Sequence, residues 1–253
     1  MKVAIIGLGT VGRSQARMFR DHILVTYDLA DGPYPRDEIA RCDFAVIAVG
    51  TPPASDGSAD TTQVAAAVGG LPGGMPVLIR STVPPGTTSR MAARRPGHTA
   101  FAPEFLYEGG TGPWCEAEDV PWLLLGGADP AREYFFPRIA AVYPGTIREC
   151  SATAAELAKY TANIYWATRV TFVNEMAAIA AAHGVDWEEV REAWLADGRV
   201  SPAHTAMAGF PPGFAGRCWP KDLDALIAAA SRSGHKPEFL EAVREANHRF
   251  RAS

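Results

Sequence analysis

Short apolar runs recur through residues 1–150, and amphipathic segments separate several of them. Such runs predict strands that are buried on both faces of a parallel sheet, because they lack polar alternation. The predicted strands are Lys2 to Ile6, Ile23 to Tyr27, Phe44 to Val49, Val77 to Ile79, Thr99 to Ala102 and Leu123 to Leu125. Helices are predicted around Val11 to Arg20 and Thr61 to Val68. This alternation predicts a doubly wound α/β domain over residues 1–150.

The pattern changes after Cys150, where one long helical segment runs from Thr153 to His183 and Gly184 follows as a natural helix stop. Thr153 and Glu156 have the spacing of a capping box. A helix of that length would measure about 45 Å and needs a wide surface to cover its apolar face. We therefore expect an all-helical domain over residues 151–253 that forms a homodimer through this helix.

Composition excludes several classes of function. Hydrophobic residues make up 47% of the 253, and Lys+Arg of 24 against Asp+Glu of 28 gives a net charge of −4. That balance argues against a nucleic-acid partner. No apolar stretch reaches the roughly 18 residues of a membrane span, and the apolar N-terminus is interpreted as a strand. The four cysteines are scattered and the six histidines lack ligand spacing, so we predict no metal and a reducing, cytoplasmic location.

A G-x-G-x-x-G motif runs from Gly7 to Gly12, between a predicted strand and a predicted helix. Glycines there let the backbone approach a pyrophosphate, which the helix N-terminus attracts, as in a Rossmann-type domain. Asp28 ends the second strand, where an acid binds the ribose hydroxyls and repels a 2′-phosphate. These residues predict NAD as the cofactor. The competing interpretation is a simple tight turn with a solvated Asp28.

Two further groups of residues suggest chemistry on the helical side. Lys159 and Asn163 lie one turn apart on the long helix, where they could hold an alcohol oxygen, although a single lysine on a helix is more often solvated. Cys218 precedes Pro220, a favourable early helix position, and Asp222 follows one turn later. A cysteine before a helix N-terminus could act as a nucleophile. A buried, inert cysteine is the alternative.

At this point the sequence resembles the UDP-glucose/GDP-mannose dehydrogenase family, which oxidises a primary alcohol of a nucleotide sugar to a carboxylate with two NAD. The stretches that carry the resemblance are Gly7 to Gly12, Val49 to Pro53 with Asp56, Gly57 and Asp60, Ser81 to Thr88, Ala102 to Gly109, Glu156 to Asn163, and Gly213 to Asp222. They occur in family order and reach from residue 1 to about residue 230.

The resemblance implies a set of site residues. Catalytic roles are implied for Cys218, Lys159, Asn163, Asp222, Glu104 and Thr82. Cofactor contacts are implied for Gly7, Gly9, Thr10, Val11, Gly12, Asp28, Thr51 and Thr82. Substrate contacts are implied for Glu104, Phe105, Leu106, Glu108, Lys159, Asn163, Arg199 and Gly216. In this scheme Cys218 captures the aldehyde as a thiohemiacetal and Glu104 is the general base that hydrolyses the later thioester.

The sequence also departs from the family pattern. Ala215 and Arg217 stand where the family usually has a third glycine and a serine, and the segment around Arg199 is altered. Family members usually carry a further C-terminal α/β domain that holds the nucleotide, whereas this chain stops soon after the cysteine motif. We therefore expect a short form with a small-molecule substrate, such as a nucleoside, a sugar phosphate or an unusual sugar nucleotide.

Two other functions fit the same features. A two-electron dehydrogenase of the β-hydroxyacid type also pairs a dinucleotide domain with a Lys-x-x-x-Asn helix and has a similar length. Cys218 argues against it, because a simple alcohol oxidation needs no thiol. A non-catalytic subunit that takes a missing domain from a partner is the second alternative, and the presence of Cys218, Lys159 and Asn163 argues against it.

Overall fold

A computed structural model describes residues 1–107 and 114–252 of the chain. A seven-stranded sheet has the strand order β2-β1-β3-β4-β5-β6-β7. Its strands are β1 (Lys2–Ile6), β2 (Ile23–Tyr27), β3 (Phe44–Ile47), β4 (Val77–Ile79), β5 (Thr99–Phe101), β6 (Trp122–Gly127) and β7 (Thr146–Cys150). All neighbouring strands are parallel except β5 and β6. The doubly wound α/β prediction is confirmed.

The sheet differs from the sequence prediction at its edges. The prediction missed β7, whose residues are all exposed or half-buried, because an edge strand carries no continuous apolar run. The expectation of burial on both faces is wrong for β2, the other edge strand, where Val25 is the one buried residue. Strand β6 runs antiparallel to β5, a direction that apolar content alone does not reveal.

Helices cover both faces of this sheet: α1 (Thr10–Met18), α2 (Arg36–Ile39), α3 (Thr62–Gly69), α4 (Thr87–Ala92) and α5 (Asp129–Ala140). Alternate residues of β1 enter different apolar clusters. Val3 and Ile5 join one cluster, and Ala4 and Ile6 join the other. Because successive strand residues point to opposite faces, the two clusters are the two sides of the sheet. The carboxyl ends of the parallel strands are thereby left to carry functional loops.

The remaining chain is helical: α6 (Ala152–Ala182), α7 (Trp187–Leu195), α8 (Trp219–Arg232) and α9 (Glu238–Ala252). The predicted long helix is confirmed, but its predicted capping box is wrong. The hydroxyl of Ser151 accepts the hydrogen bond from the Ala154 backbone N–H at 3.2 Å, so Ser151 occupies the cap position. Glu156 is committed elsewhere, to the backbone near α4.

The chain divides into two compact units. One comprises residues 1–52 and 59–159, and the other comprises residues 53–58 and 160–253. The sheet lies in the first unit, and α7 to α9 lie in the second. The predicted domain boundary at residues 150 and 151 stays a prediction. Every helix in residues 1–107 and 114–252 is either too short or not apolar enough to cross a bilayer.

Candidate functional site

The turn between β1 and α1 is shaped by its glycines. Gly7 has a φ of +92°, which a residue with a side chain rarely adopts. A Cβ on Gly12 would lie 1.8 Å from the carbonyl oxygen of Gly7, so the helix and the strand end touch at this point. A Cβ on Gly9, by contrast, would meet nothing within 4 Å. The turn therefore leaves an open approach to the N-terminus of α1, which fits a pyrophosphate group.

Asp28 is tied directly to this turn. Its Oδ2 accepts a hydrogen bond of 2.7 Å from the backbone N–H of Leu8, and its own N–H donates to Asp31 at 2.8 Å. The bond from Leu8 lowers the pKa of the Asp28 carboxyl below its ordinary value. The structure thus brings an ionised carboxylate next to the turn, as the sequence spacing predicts.

Thr51 and Thr82 follow the carboxyl ends of neighbouring strands. Thr51 is buried shortly after β3, and Thr82 is half-buried shortly after β4. The hydroxyl of Ser81 donates to the Val49 carbonyl at 2.7 Å and joins the two loops. Both threonines therefore lie at the sheet edge that carries the glycine turn. Their cofactor and substrate roles stay predictions.

Glu104 follows β5 at the same edge and is 7% exposed. Its Oε2 accepts from the guanidinium of Arg80, with which it forms an ion pair, and from the amide of Gln15 at 3.2 Å. Its Oε1 accepts from the Phe105 backbone N–H at 3.1 Å. Sequence reasoning missed Arg80 and Gln15. The signal in the sequence that could have identified Arg80 is its positive charge directly after a fully buried strand, because a buried cation needs an anionic partner.

Phe105 links this loop to α6. Its ring packs 4.3 Å from that of Trp122, and the Lys159 ammonium lies 5.0 Å from the Phe105 ring centroid. A cation over an aromatic face is attracted by the ring. The structure therefore brings Glu104, Phe105 and Lys159 together within the first unit. Leu106 is half-buried, and Glu108 lies outside the described residues.

Glu156 is fully buried and caps a neighbouring helix. Its carboxylate accepts from the backbone N–H groups of Gly86 at 2.5 Å and Thr88 at 2.7 Å, at the start of α4. Burial raises the pKa of Glu156 above the ordinary value, and these two hydrogen bonds oppose the shift. Glu156 thus connects α6 to the loop that follows Thr82.

We expect Glu156→Gln to change how stability depends on pH. The raised pKa means that the folded state holds this proton more tightly than the unfolded state, so wild-type stability falls as pH rises from about 4.3 through the folded pKa. The glutamine has no such titration but leaves one backbone N–H without an acceptor, at about 1 kcal/mol. Melting curves should therefore show the variant's deficit shrinking as pH rises. A deficit that is constant with pH would contradict this expectation.

The second unit holds the cysteine and its neighbours. Cys218 is exposed and is the N-cap residue of α8, where its carbonyl accepts from the Asp222 N–H at 2.9 Å. Asp222 is 1% exposed. Its Oδ2 accepts from the Asn163 amide at 2.6 Å, and its Oδ1 accepts from the Lys221 ammonium at 2.5 Å. The expectation that Cys218 precedes a helix is confirmed, and Lys221 was missed because it resembled an ordinary helix lysine.

The loop before Cys218 contains the other predicted substrate residues. Gly216 has a φ of +89°, which the turn into α8 requires of a glycine. Arg199 is highly exposed and pairs with Asp197, two residues away, at 2.6 Å. Because this ion pair is between residues two positions apart, it does not explain how Arg199 would contact a substrate. Its role stays a prediction.

In the described ranges, no three His, Cys, Asp or Glu side chains come together in a way that could hold a metal ion. In the first unit, the glycine turn and Asp28 are the groups that could hold a dinucleotide.

Sequence comparisons identify relatives for most of the chain. Residues 34–146 match the profile of the UDP-glucose/GDP-mannose dehydrogenase family NAD binding domain, and residues 153–249 match that family's central domain. UDP-glucose 6-dehydrogenase of Pseudomonas aeruginosa is 33% identical over 96% of this chain and 55% of its own length. The chain therefore spans about half the length of this relative.

Solved structures show the same likeness. A UDP-glucose dehydrogenase from Pyrobaculum islandicum superposes with a TM-score of 0.83 and 30% identity, over 98% of this chain and 68% of that one. A 3-hydroxyisobutyrate dehydrogenase from Mycobacterium tuberculosis superposes with a TM-score of 0.72 and 17% identity, over 100% of this chain and 94% of that one. The second match shows a shared fold alone.

Proposed function

This chain belongs to the UDP-glucose/GDP-mannose dehydrogenase family, and from that premise we propose that it catalyses the four-electron oxidation of a primary alcohol to a carboxylate. NAD is the cofactor, since residues 34–146 form the family's NAD binding domain. The proposed substrates are a sugar nucleotide, a nucleoside or a related sugar. The observation that carries the proposal is the position of Cys218, which is exposed at the N-cap of α8. One turn later in that helix, the Asp222 carboxylate accepts hydrogen bonds from Asn163 and Lys221.

The glycine turn from Gly7 to Gly12 and Asp28 would hold NAD, which would supply the hydride acceptor for each of the two oxidations. For the protein's own residues, we assign to Lys159 and Asn163 the stabilisation of the developing oxyanion, and to a water held by Asp222 the removal of the alcohol proton. Asp222 orders a water and, by accepting from Asn163 at 2.6 Å, fixes the amide of that residue. The amide of Asn163 and the ammonium of Lys159 can stabilise charge that develops in the transition state, because groups that are already oriented need no rearrangement.

The thiol of Cys218 supplies the covalent step. Its sulfur adds to the aldehyde carbon and forms a thiohemiacetal, and loss of a second hydride from that carbon leaves a thioester. Water then attacks the thioester carbon, the C–S bond breaks, and the thiolate leaves while a general base takes the water's proton. The N-cap position favours this thiolate, since the helix dipole stabilises negative charge there.

A two-electron oxidation of the β-hydroxyacid type is the second candidate. It is favoured by the fold, since the superposition on the 3-hydroxyisobutyrate dehydrogenase covers 94% of that chain. It leaves Cys218 without a use, however, because one hydride transfer to a ketone or aldehyde requires no covalent intermediate. The chemistry of the described residues therefore supports the four-electron reaction better.

The homodimer and the cytoplasmic location stay predictions. The side chains of Leu157, Tyr165, Phe172 and Ile179 are exposed at intervals of seven or eight residues along α6. That spacing places them along one side of the helix, as a helix that pairs with a second copy would require. We propose that this side of α6 is the dimer contact.

A substrate panel tests the proposed function. The purified chain is incubated with NAD and, in turn, sugar nucleotides, sugar phosphates, nucleosides and 3-hydroxy acids, while NADH and the oxidation level of the product are followed. We expect a carboxylate from at least one substrate with a hydroxymethyl group. Turnover of 3-hydroxy acids alone would favour the second candidate. Absence of turnover combined with recovery of a stoichiometric partner polypeptide would favour a non-catalytic subunit.

We expect Asp28→Asn to weaken NAD binding by about tenfold, because a hydrogen bond to a charged acceptor is stronger than one to a neutral acceptor. The asparagine oxygen can still accept from Leu8, so the turn is kept. Discrimination against NADP should fall as well, since the carboxylate that repels its 2′-phosphate is gone. Fluorescence titration with both dinucleotides measures the two affinities. The exposed Asp21 provides the control variant Asp21→Asn, and an unchanged NADP-to-NAD ratio in Asp28→Asn would contradict the assignment.

A further inference from the structure

A buried ion pair joins two neighbouring strand ends in the first unit. Arg80 directly follows β4 and is 1% exposed at its side chain, and Glu104 follows β5 and is 7% exposed. The guanidinium Nη2 of Arg80 donates to Oε2 of Glu104. The strands themselves are in register, with Ile79 opposite Phe101. The pair therefore fixes the Glu104 loop to the sheet immediately beside it.

The two oxygens of Glu104 differ in their surroundings. Oε2 accepts from Arg80 and also from the amide of Gln15 on α1, at 3.2 Å. From residues 1–107 and 114–252, Oε1 accepts one hydrogen bond, of 3.1 Å, from the Phe105 backbone N–H. An ionised carboxylate oxygen can accept two hydrogen bonds. Oε1 therefore keeps one lone pair for a further proton, whereas Oε2 already has two donors.

Arg80 is dedicated to this carboxylate. Its Nε and Nη1 have no acceptor in the part of the chain that the structure describes. Burying a guanidinium with one ionic partner carries a large desolvation cost, and an apolar side chain of similar size is often as stable at such a position. A stability role alone therefore gives little reason for an arginine here.

From this geometry we propose that Arg80 is a positioning residue, which with Gln15 holds Oε2 of Glu104 so that Oε1 is the oxygen that takes a proton in thioester hydrolysis. The inference rests on the proposed function. The step it serves is the attack of water on the thioester carbon. In that step Oε1 takes one water proton, the new C–O bond forms, the C–S bond breaks, and the sulfur leaves as a thiolate.

The same contacts extend to Lys159. The backbone N–H of Phe105 donates to Oε1, and the ring centroid of Phe105 lies 5.0 Å from the Lys159 ammonium. A shift of the Glu104 loop would move both groups. Loss of Arg80 therefore affects hydrolysis most directly, through Glu104, and affects the alcohol oxidation less directly, through the ring beside Lys159.

Among the described residues, Arg80 and Gln15 donate hydrogen bonds to Glu104, and Tyr143 interacts with it electrostatically. Burial raises the pKa of Tyr143 to about 12, and the Glu104 carboxylate adds to this shift, so the phenol stays neutral. Its hydroxyl donates to the Val120 carbonyl. Arg80 is thus the cation that pairs with the Glu104 carboxylate, and its removal would leave that buried carboxylate without an ionic partner.

Steady-state profiles of carboxylate formation against pH test the proposal. In Arg80→Met the acidic limb of the profile of kcat against pH should move to higher pH, because the buried Glu104 carboxylate has lost its ionic partner. At pH values below the shifted limb, thioester hydrolysis should be slow, so intact-protein mass spectrometry should show a substrate-derived adduct on the protein. Arg80→Lys keeps the positive charge, so the pH of its acidic limb should stay close to that of the wild type. Gln15→Leu removes a neutral donor and should shift the limb less than Arg80→Met does.

Arg95→Met is the matched control. Arg95 is a half-buried arginine of the same unit that donates to the backbone carbonyls of Pro72 and Met75, both at 2.9 Å, and pairs with no carboxylate in the described part of the chain. It should lower the melting temperature without moving the limb. If Arg80→Met does not fold, Gln15→Leu carries the test through a smaller shift in the same direction, because it removes the second donor to Oε2 of Glu104.

The outcomes separate the two proposals. An unmoved acidic limb in Arg80→Met, or in Gln15→Leu where Arg80→Met does not fold, with wild-type carboxylate formation intact, overturns the positioning role and leaves the proposed function standing. A wild-type chain that forms no carboxylate from any substrate overturns the proposed function. In that case, the melting temperature of Arg80→Met should still fall more steeply with rising pH than that of Arg95→Met, because an ionised carboxylate buried without its partner destabilises the folded state.

Discussion

Cys218→Ser is expected to lose carboxylate formation by about three orders of magnitude, the largest effect on activity that the structure predicts. A serine hydroxyl is scarcely ionised at neutral pH, so the variant lacks the nucleophile that captures the aldehyde. Oxidation of the alcohol to the aldehyde does not need the thiol. The variant should therefore release aldehyde with one NADH for each molecule, measured by trapping the aldehyde and by mass spectrometry of the product.

Cys42→Ser is the control for this experiment. Cys42 is half-buried in the first unit, where its thiol contacts the Glu38 carbonyl at 3.5 Å, and burial raises the pKa of that thiol. Its replacement should leave the product unchanged. Carboxylate formation by Cys218→Ser at the wild-type rate would show that no covalent intermediate on this sulfur is needed.

Gly12→Ala is expected to give the largest loss of stability, together with loss of NAD binding. The added Cβ would lie 1.8 Å from the Gly7 carbonyl oxygen and 2.8 Å from its carbon, both backbone atoms. Gly7 cannot easily move away, since its own Cβ position is closed by the Ala48 backbone at 2.6 Å. We expect a cost of about 3 kcal/mol, the upper end of what overpacking causes. Denaturant unfolding measures it.

Gly9→Ala separates the fold from the cofactor site. A Cβ on Gly9 would meet no atom within 4 Å, and the φ of −66° at this residue suits any amino acid. Stability should stay close to wild type while NAD affinity falls, because the methyl group enters the approach to the α1 N-terminus. Equal stability of Gly12→Ala and wild type would contradict the tight contact. Unchanged NAD affinity in Gly9→Ala would place the pyrophosphate elsewhere.

The sheet could be predicted where its residues are buried on both sides. Lys2–Ile6 carries a continuous apolar run, because Val3 and Ile5 pack on one face and Ala4 and Ile6 on the other. The edge strand Thr146–Cys150 faces solvent and has the sequence TIREC, which carries no such run. Its pairing with β6 is a long-range contact that periodicity does not report.

The site was predictable where it depends on local spacing. The glycine turn, Asp28 and the position of Cys218 before α8 all follow from residue order. The partners of Glu104 and Glu156 do not, since Arg80 lies 24 positions from Glu104 and Gly86 lies 70 positions from Glu156. The predicted cap from Glu156 was wrong for this reason. Its spacing suited a local bond, but burial placed its carboxylate against the backbone of α4.

The ratio of NADH to carboxylate, measured with the purified chain and the best substrate of the panel, tests the covalent four-electron reaction most directly. Two NADH for each carboxylate, with a substrate-derived mass on Cys218 during turnover, is the predicted result. One NADH for each molecule of an aldehyde or ketone, with no mass added to the protein, would contradict it.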